Sequence, residues 1–201
     1  MSIGEAGEKL RRSTVLVQSG NNGSGSGIVW NDNGTIVTNA HVARNENCTI
    51  EFWDGLTAPA RLDRRDIRRD LAILRVNPVR ASPVHHRDST RLRVGELVIA
   101  AGNPPGFKGA LSTGVLHAVG PAFIESTVRL APGNSGGPLA DADGNVIGIN
   151  TAIAQGGLGL AVPANAVERL LTSAPPPELG VTVRPVRIPG PRGRIALEPL
   201  H

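Results

Sequence analysis

Short β-rich runs separated by turn residues limit what this chain can fold into. Three segments with Asn-Gly or Asp-Gly steps, at residues 31–34, 54–55 and 141–144, each lie between two such runs. A step of this kind predicts a hairpin, because these residues readily adopt the backbone angles of a tight turn. The chain also contains 25 Gly and 16 Pro, so long helices are not expected. The pattern predicts an all-β fold.

The predicted strands fall into two groups joined by a polar link at residues 79–91. Two groups of short strands with turns between them are typical of two antiparallel β-barrels. The first barrel is predicted over about residues 13–80 and the second over about residues 92–172.

Segments of different character flank the predicted barrels. Residues 1–12 form an N-terminal segment in which residues 4–12 can be helical. Pro163 can open a short C-terminal helix, because proline is tolerated in the first helical turn. Residues 173–201 begin as a Pro-rich linker and continue into two β-rich runs. Two strands do not form an independently stable unit.

The charge of the chain argues against nucleic acid as a partner. The formal net charge is +4, but the richest basic patch, residues 63–70, alternates arginines with aspartates. A nucleic-acid surface is expected to cluster basic residues and to add aromatic side chains for stacking. The patch therefore predicts a solvated surface whose charges pair with each other.

Cysteine usage and hydropathy give a prediction of the compartment. Cys48 is the single cysteine, which excludes an internal disulfide and leaves no companions for a zinc site. Residues 1–13 lack the apolar run of a signal peptide or anchor, and no apolar stretch of 18 residues follows. The chain is predicted to be cytoplasmic, with no membrane partner. The alternative is a periplasmic or other extracytoplasmic location if the N-terminus is incomplete.

A glycine-rich segment at residues 131–139 contains a serine that can act as a nucleophile. Ser135 stands between Gly-Asn and Gly-Gly. Glycines let consecutive backbone N–H groups point at one spot, and a serine needs a base and such donors to attack a carbonyl. Taken alone, the segment is also compatible with a tight glycine turn between two strands.

A histidine and an aspartate precede this serine in suitable positions. His41 follows a predicted strand, and Asp70 directly precedes an apolar strand, where a carboxylate needs a partner. In a triad, Ser135 attacks the substrate carbonyl, His41 transfers the proton and Asp70 orients His41. The order His, Asp, Ser is that of the chymotrypsin-like arrangement. The ordinary alternatives are a core or surface histidine and an ion pair of Asp70 with Arg68 or Arg69.

The motifs around these residues resemble those of one known family. Residues 38–42 read TNAHV, residues 70–74 read DLAIL and residues 133–139 read GNSGGPL, in this order. In these motifs, and over about residues 13–171, the chain is similar to trypsin-like serine proteases of the HtrA (Deg) type.

The resemblance implies a fold, an activity and a set of site residues. It implies two antiparallel six-stranded β-barrels with a short C-terminal helix and an active site between the barrels. It also implies endoproteolytic cleavage with His41, Asp70 and Ser135 as catalytic residues and an oxyanion hole at Gly133, Asn134 and Ser135. No metal or cofactor is implied. Family members are often trimers, so a homo-oligomer is expected on resemblance alone.

The chain also departs from the patterns of these relatives. Asn134 stands where trypsin has an aspartate that pairs with a newly cut N-terminus, so activation of that kind is not expected. The tail from Leu179 is similar to the opening strands of a PDZ domain that is cut off at His201. A complete PDZ domain is therefore not expected.

The residue beneath the nucleophile leaves two alternatives for specificity. Arg129 lies six residues before the serine, where trypsin-like folds place the base of the primary pocket. If Arg129 points inward, the pocket favours an acidic side chain. If it points to solvent, Ile149 and Leu160 leave an apolar pocket, which we favour because a buried unpaired arginine is costly. Asn150 and Thr151 complete the predicted pocket.

The residues together with the resemblance therefore predict a serine endopeptidase that acts on unfolded or exposed protein segments through an acyl-enzyme intermediate. The alternative is a catalytically silent module that keeps the protease fold and binds proteins as a chaperone does.

Overall fold

The computed structural model describes residues 2–20, 23–154, 156–173, 186–187 and 195–196. Within these residues, twelve strands form two closed barrels of six antiparallel strands each, and a short helix follows the second barrel. The expected all-β fold with two barrels is confirmed.

The strands of barrel 1 are β1 (Thr14–Gln18), β2 (Ser24–Val29), β3 (Thr35–Thr38), β4 (Asn47–Glu51), β5 (Thr57–Asp66) and β6 (Leu71–Val76). Their order around the barrel is β1-β2-β3-β6-β5-β4. The strands of barrel 2 are β7 (Leu97–Gly102), β8 (Ala110–Val119), β9 (Ile124–Ser126), β10 (Pro138–Asp141), β11 (Val146–Ile153) and β12 (Gly159–Pro163). Their order is β10-β11-β12-β9-β8-β7.

In the tail, β13 (Val186–Arg187) and β14 (Ile195–Ala196) pair antiparallel. Of the tail predicted as a Pro-rich linker and two β-rich runs, the prolines at 175–177 and the first run, at residues 179–184, lie outside the described residues.

The three predicted turns close the hairpins β2–β3, β4–β5 and β10–β11. Gly34 shows why the first turn needs glycine. Its φ is +84°, and an added Cβ would lie 2.1 Å from the carbonyl oxygen of Val76. Any side chain would therefore push β3 away from β6. This pairing matters for the site, because β3 leads to the candidate histidine and β6 follows the candidate aspartate.

Three apolar clusters stabilise the barrels. Leu74 belongs to the cluster inside barrel 1, and Leu139 belongs to the cluster inside barrel 2. The third cluster lies between the barrels and contains the fully buried Ile73 and Ile149, one from each barrel. Because burial of apolar surface is the main favourable term in folding, this third cluster holds the barrels against each other.

Two helices cover the junction of the barrels. Helix α1 (Ile3–Ser13) begins with a capping box in which Ser2 and Glu5 each accept a hydrogen bond from the other's backbone N–H, and its buried Leu10 joins the cluster between the barrels. Helix α2 (Ala164–Thr172) follows Pro163. No helix in the described part of the chain is long and apolar enough to span a bilayer.

Helix α2 is tied to barrel 1 by polar contacts. The indole N–H of Trp30 donates to Glu168 at 2.8 Å, and Arg64 donates to the carbonyl of Leu170 at 3.1 Å. Trp30 also stacks on His86 of the polar link, with ring centroids 4.9 Å apart. The helix therefore helps to fix the angle between the two barrels.

The basic segment 63–70 is only partly paired within itself. Arg69 and Asp66 form an ion pair at 2.8 Å. Arg65 instead donates to the backbone carbonyl of Ala40 at 2.9 Å. Because Ala40 directly precedes the candidate histidine, this arginine supports the local backbone there.

Candidate active site

The fold brings His41 and Asp70 together. His41 lies in the turn after β3, Asp70 directly precedes β6, and the two strands pair with Thr38 opposite Ala72. The imidazole Nδ1 lies 2.7 Å from Asp70 Oδ2, and the backbone N–H of His41 donates to Oδ1 at 3.0 Å. Both carboxylate oxygens are therefore used to hold this histidine.

Asp70 adopts an uncommon backbone conformation. Its φ is +55°, in the left-handed region that few residues other than glycine adopt, although asparagine, aspartate and histidine adopt it more often than the rest. Such conformations persist only where the surroundings hold them, and they cluster at active sites.

Hydrogen bonds outweigh the burial of the Asp70 carboxylate. Burial removes water and by itself raises the pKa of this group. The hydrogen bonds from the His41 imidazole, the Thr151 hydroxyl and the His41 backbone N–H act in the opposite direction and leave the pKa below its usual value. Asp70 is therefore ionised at neutral pH and can stabilise a positive charge on His41.

Thr151 connects the aspartate to the candidate nucleophile across the junction of the barrels. Its hydroxyl donates to Asp70 Oδ2 at 2.5 Å. Its backbone carbonyl accepts a hydrogen bond from Ser135 Oγ at 3.3 Å. Within the described residues, the Ser135 hydroxyl makes this bond and none to His41. Proton transfer to His41 therefore requires the Ser135 hydroxyl to leave the Thr151 carbonyl.

The loop that carries Ser135 belongs to barrel 2 but lies on strands of barrel 1. The N–H of Ser26 donates to the Ser135 carbonyl at 2.8 Å. A Cβ on Gly136, whose φ is +85°, would lie 2.1 Å from the Ser26 carbonyl and 2.3 Å from the Thr38 hydroxyl. Glycine is required here because only a bare backbone allows this close approach.

Two backbone donors beside the serine have no acceptor. Residues Ala131 to Asn134 form a tight turn in which the Asn134 N–H donates to the Ala131 carbonyl at 3.0 Å, and Gly133 supplies a φ of +96°. In the described part of the chain, the N–H groups of Gly133 and Ser135 make no hydrogen bond. These two groups are available for an oxyanion, whereas the N–H of Asn134, also predicted for this role, is used inside the turn.

A cavity of about 260 Å³ opens beside Ser135. Its walls are mostly apolar and consist of Leu130, Ala131, Pro132, Asn134, Ser135, Thr151, Ala152 and Ile153. A cavity of this kind can take up an apolar side chain.

Of the five residues predicted for the pocket, Thr151 lines this cavity and the other four do not. Ile149 and Asn150 are buried beneath it, Leu160 is half-buried on β12, and the Arg129 side chain is exposed. The chain at Arg129 is anchored by its backbone N–H, which donates to Ser112 Oγ at 3.0 Å.

Sequence reasoning missed the residues that form most of the cavity wall. The pairing of β11 with β12 shifts register between Asn150 and Ala152. This bulge interrupts the alternation of the strand, so Ala152 and Ile153 are both exposed to the cleft side. Leu130 also lines the cavity, and its position five residues before Ser135 was the only sign of this in the sequence.

Comparisons with known proteins show what this chain is similar to. Residues 25–149 match the family model described as a trypsin-like peptidase domain. Over 167 residues the chain is 40% identical to "Protease Do-like 1, chloroplastic" of Arabidopsis thaliana, covering 72% of this chain and 38% of the relative. It is 35% identical over 163 residues to "Periplasmic serine endoprotease DegP" of Escherichia coli, covering 73% and 34%.

Solved structures show the same similarity. A serine endoprotease from Yersinia pestis superposes with a TM-score of 0.79 at 27% identity, over 85% of this chain and 65% of that one. The "HtrA-type protease AlgW with tripeptide" gives a TM-score of 0.80 at 27% identity, over 92% and 69%. The chain spans less than half the length of the curated relatives it matches.

Thr151→Val tests the electrostatics of the site, because it removes one donor that lowers the pKa of Asp70. A carboxyl with a depressed folded pKa adds stability above its unfolded pKa, about 3.9, and this stability is lost as pH falls through the folded pKa. The unchanged chain should therefore be more stable than the variant at pH 7, and the difference should shrink as pH falls below about 4.

Urea unfolding followed by circular dichroism between pH 7 and pH 2 measures this difference. Thr57→Val, at an exposed strand position, is the matched control and should give no pH-dependent difference. A stability difference for Thr151→Val that stays constant with pH would contradict the assigned role of its hydroxyl.

Proposed function

The chain belongs to the trypsin-like peptidases and within them to the HtrA/Deg type, and from this membership we propose that it is a serine endopeptidase with His41, Asp70 and Ser135 as its catalytic triad. The observation that carries the proposal is that both carboxylate oxygens of Asp70 bind His41. One lies 2.7 Å from the imidazole Nδ1 and the other 3.0 Å from the backbone nitrogen. The two free N–H groups beside Ser135 support it further.

The first half of the proposed reaction forms an acyl-enzyme. The Ser135 hydroxyl rotates from the Thr151 carbonyl towards His41, gives its proton to the imidazole, and attacks the substrate carbonyl carbon. The carbonyl oxygen becomes an oxyanion that accepts hydrogen bonds from the N–H groups of Gly133 and Ser135, a type of interaction whose loss costs about 3 kcal/mol of barrier. When the C–N bond breaks, His41 gives its proton to the leaving amine.

The second half restores the serine. Water loses a proton to His41 and attacks the acyl carbonyl, and a second oxyanion forms at the same donors. The ester bond to Ser135 then breaks, the serine oxygen recovers its proton from His41, and the new carboxyl end leaves. Asp70 stays ionised throughout and stabilises the imidazolium that forms in each half.

The proposed substrates are unfolded or exposed segments of proteins. The substrate carbonyl has to reach the N–H groups of Gly133 and Ser135, so the segment that carries it must be accessible and free to accept these hydrogen bonds. Folded proteins seldom present an extended segment that is free of its own hydrogen bonds. The names of the relatives, as serine endoproteases, support action on proteins or peptides.

One observation keeps a second candidate function in view. The Ser135 hydroxyl donates to Thr151 in place of His41. A module that binds proteins without cleaving them would show this arrangement permanently, whereas a protease would leave it when substrate binds.

Ser135→Ala separates the two candidates. The variant should lose cleavage of an unstructured protein such as casein completely, because no nucleophile remains, and should keep its thermal unfolding midpoint. A fluorophosphonate probe should label Ser135 in the unchanged chain, since that reaction needs an activated serine. Failure to label in the presence of substrate peptides would favour the binding module, and cleavage by the variant would refute the assigned nucleophile.

We further propose that the cavity beside Ser135 selects an aliphatic side chain before the scissile bond. Leu130 and Ile153 form apolar walls, and the exposed Arg129 does not line the cavity. The alternative, an acidic side chain paired with Arg129, requires the guanidinium to turn inward.

Cleavage of a peptide library should show a preference for small or medium aliphatic residues before the cut. Ile153→Glu should reduce kcat/KM for the best aliphatic peptide by about tenfold or more, because a carboxylate would occupy an apolar wall. The matched change Arg129→Ala should leave the preference unchanged. A preference for Asp or Glu that Arg129→Ala abolishes would contradict the aliphatic proposal.

Location and assembly are proposed from the relatives alone. Relatives from Escherichia coli and Chlamydia pneumoniae are named periplasmic, which supports an extracytoplasmic location and gives no support to the cytoplasmic prediction. A homotrimer is proposed on family resemblance. Cell fractionation of the natural full-length protein and sedimentation velocity test these two points, and a cytoplasmic monomer would contradict both.

A further inference from the structure

Asn39 links the two segments that carry the histidine and the aspartate. The residue directly follows β3, two positions before His41, and is completely buried. Its side-chain Nδ2 donates to the backbone carbonyl of Asp70 at 2.9 Å. Its own backbone carbonyl accepts the N–H groups of Val42 and Ala43, which closes the histidine turn.

The bond from Asn39 acts on the residue with the unusual backbone. In the described part of the chain, Asp70 is the only residue other than glycine with a positive φ. A left-handed backbone at a residue other than glycine costs free energy and persists where the surrounding contacts hold it. The Asn39 amide holds the carbonyl of Asp70, and no other hydrogen bond to this carbonyl occurs among the described residues.

The side-chain amide of Asn39 also carries an acceptor oxygen. Its Oδ1 is buried and has no hydrogen-bond partner within the described residues. A buried acceptor without a partner destabilises the folded state, and an apolar side chain of the same shape would avoid this loss. Of the two polar groups in this side chain, only the Nδ2 donor therefore makes a hydrogen bond within the described residues.

We propose that Asn39 is a positioning residue for Asp70, a role that rests on the proposed serine endopeptidase function. By holding the Asp70 carbonyl, it keeps the backbone at a φ of +55°. In this conformation the carboxylate faces both the Nδ1 and the backbone N–H of His41. If Asp70 relaxes, its carboxylate moves away from the imidazole and the proton transfer between Ser135 and His41 loses its orientation.

Asn39→Leu keeps the shape of the side chain and removes the donor. Its kcat on a peptide substrate should fall about 10- to 100-fold, because misplacement of a catalytic group by about 1 Å has an effect of this size. KM should change less than about twofold, since Asn39 does not line the cavity. Asn39→Ala provides a second variant if the leucine does not fold.

Thr14→Val is the matched control for loss of a buried hydrogen bond. The Thr14 hydroxyl donates to the Leu10 carbonyl at 2.8 Å, and the residue is 3% exposed. This variant should lose stability and keep kcat. In an Asp70→Ala background, Asn39→Leu should cause no further loss of kcat, because the two residues act as one unit. Independent, multiplicative losses would overturn the proposal.

A readout that does not need turnover separates this inference from the proposed function. In the inactive Ser135→Ala chain, proton NMR should show a low-field resonance for the His41 Nδ1 proton shared with Asp70, and Asn39→Leu should remove or shift it. Cleavage by the unchanged chain together with an unaffected kcat and resonance in Asn39→Leu overturns the role of Asn39 alone. A lost resonance in a chain that never cleaves protein supports Asn39 and refutes the protease.

Discussion

The contact between the serine loop of barrel 2 and the strands of barrel 1 is the interaction on which the site depends. Gly136 lies so close to the Ser26 carbonyl and the Thr38 hydroxyl that no side chain fits. The Ser26 hydroxyl also donates to the Gly133 carbonyl at 2.7 Å, so both sides of the serine are held by barrel 1. Neither barrel contains all three residues of the proposed triad, and the cluster between the barrels, which includes Ile73, holds the two barrels against each other.

Some polar groups of the site lie where they lower the stability of the folded chain. Four buried side-chain polar atoms in the described residues lack a hydrogen-bond partner. Two of them are in Asn39, two positions before His41, and in Asn150, next to Thr151. Asp70 adds a left-handed backbone at the same place. Local violations of this kind are expected at functional sites, where geometry is maintained by the surrounding core. The large apolar clusters of the barrels provide that support.

Much of the architecture could be predicted from the residues because its determinants are local. The Asn-Gly and Asp-Gly turns mark three of the hairpins, and the short β-rich runs between them indicate barrels. The segments around His41, Asp70 and Ser135 each have a recognisable pattern of neighbours. Asp70 at the start of an apolar strand needed a polar partner, and the histidine 2.7 Å away is the partner that the pattern suggested.

The sequence by itself determined the two-barrel fold and the identity of the three candidate catalytic residues, since turn chemistry and motif spacing are written in neighbouring positions. Only the tertiary structure decided which residues line the cavity and which residues support the proposed triad. The bulge after Asn150 turns Ala152 and Ile153 towards the cleft, and Thr151 reaches Asp70 across 81 positions of the chain. Such contacts depend on how two closed barrels pack, and no local pattern of residues records that packing.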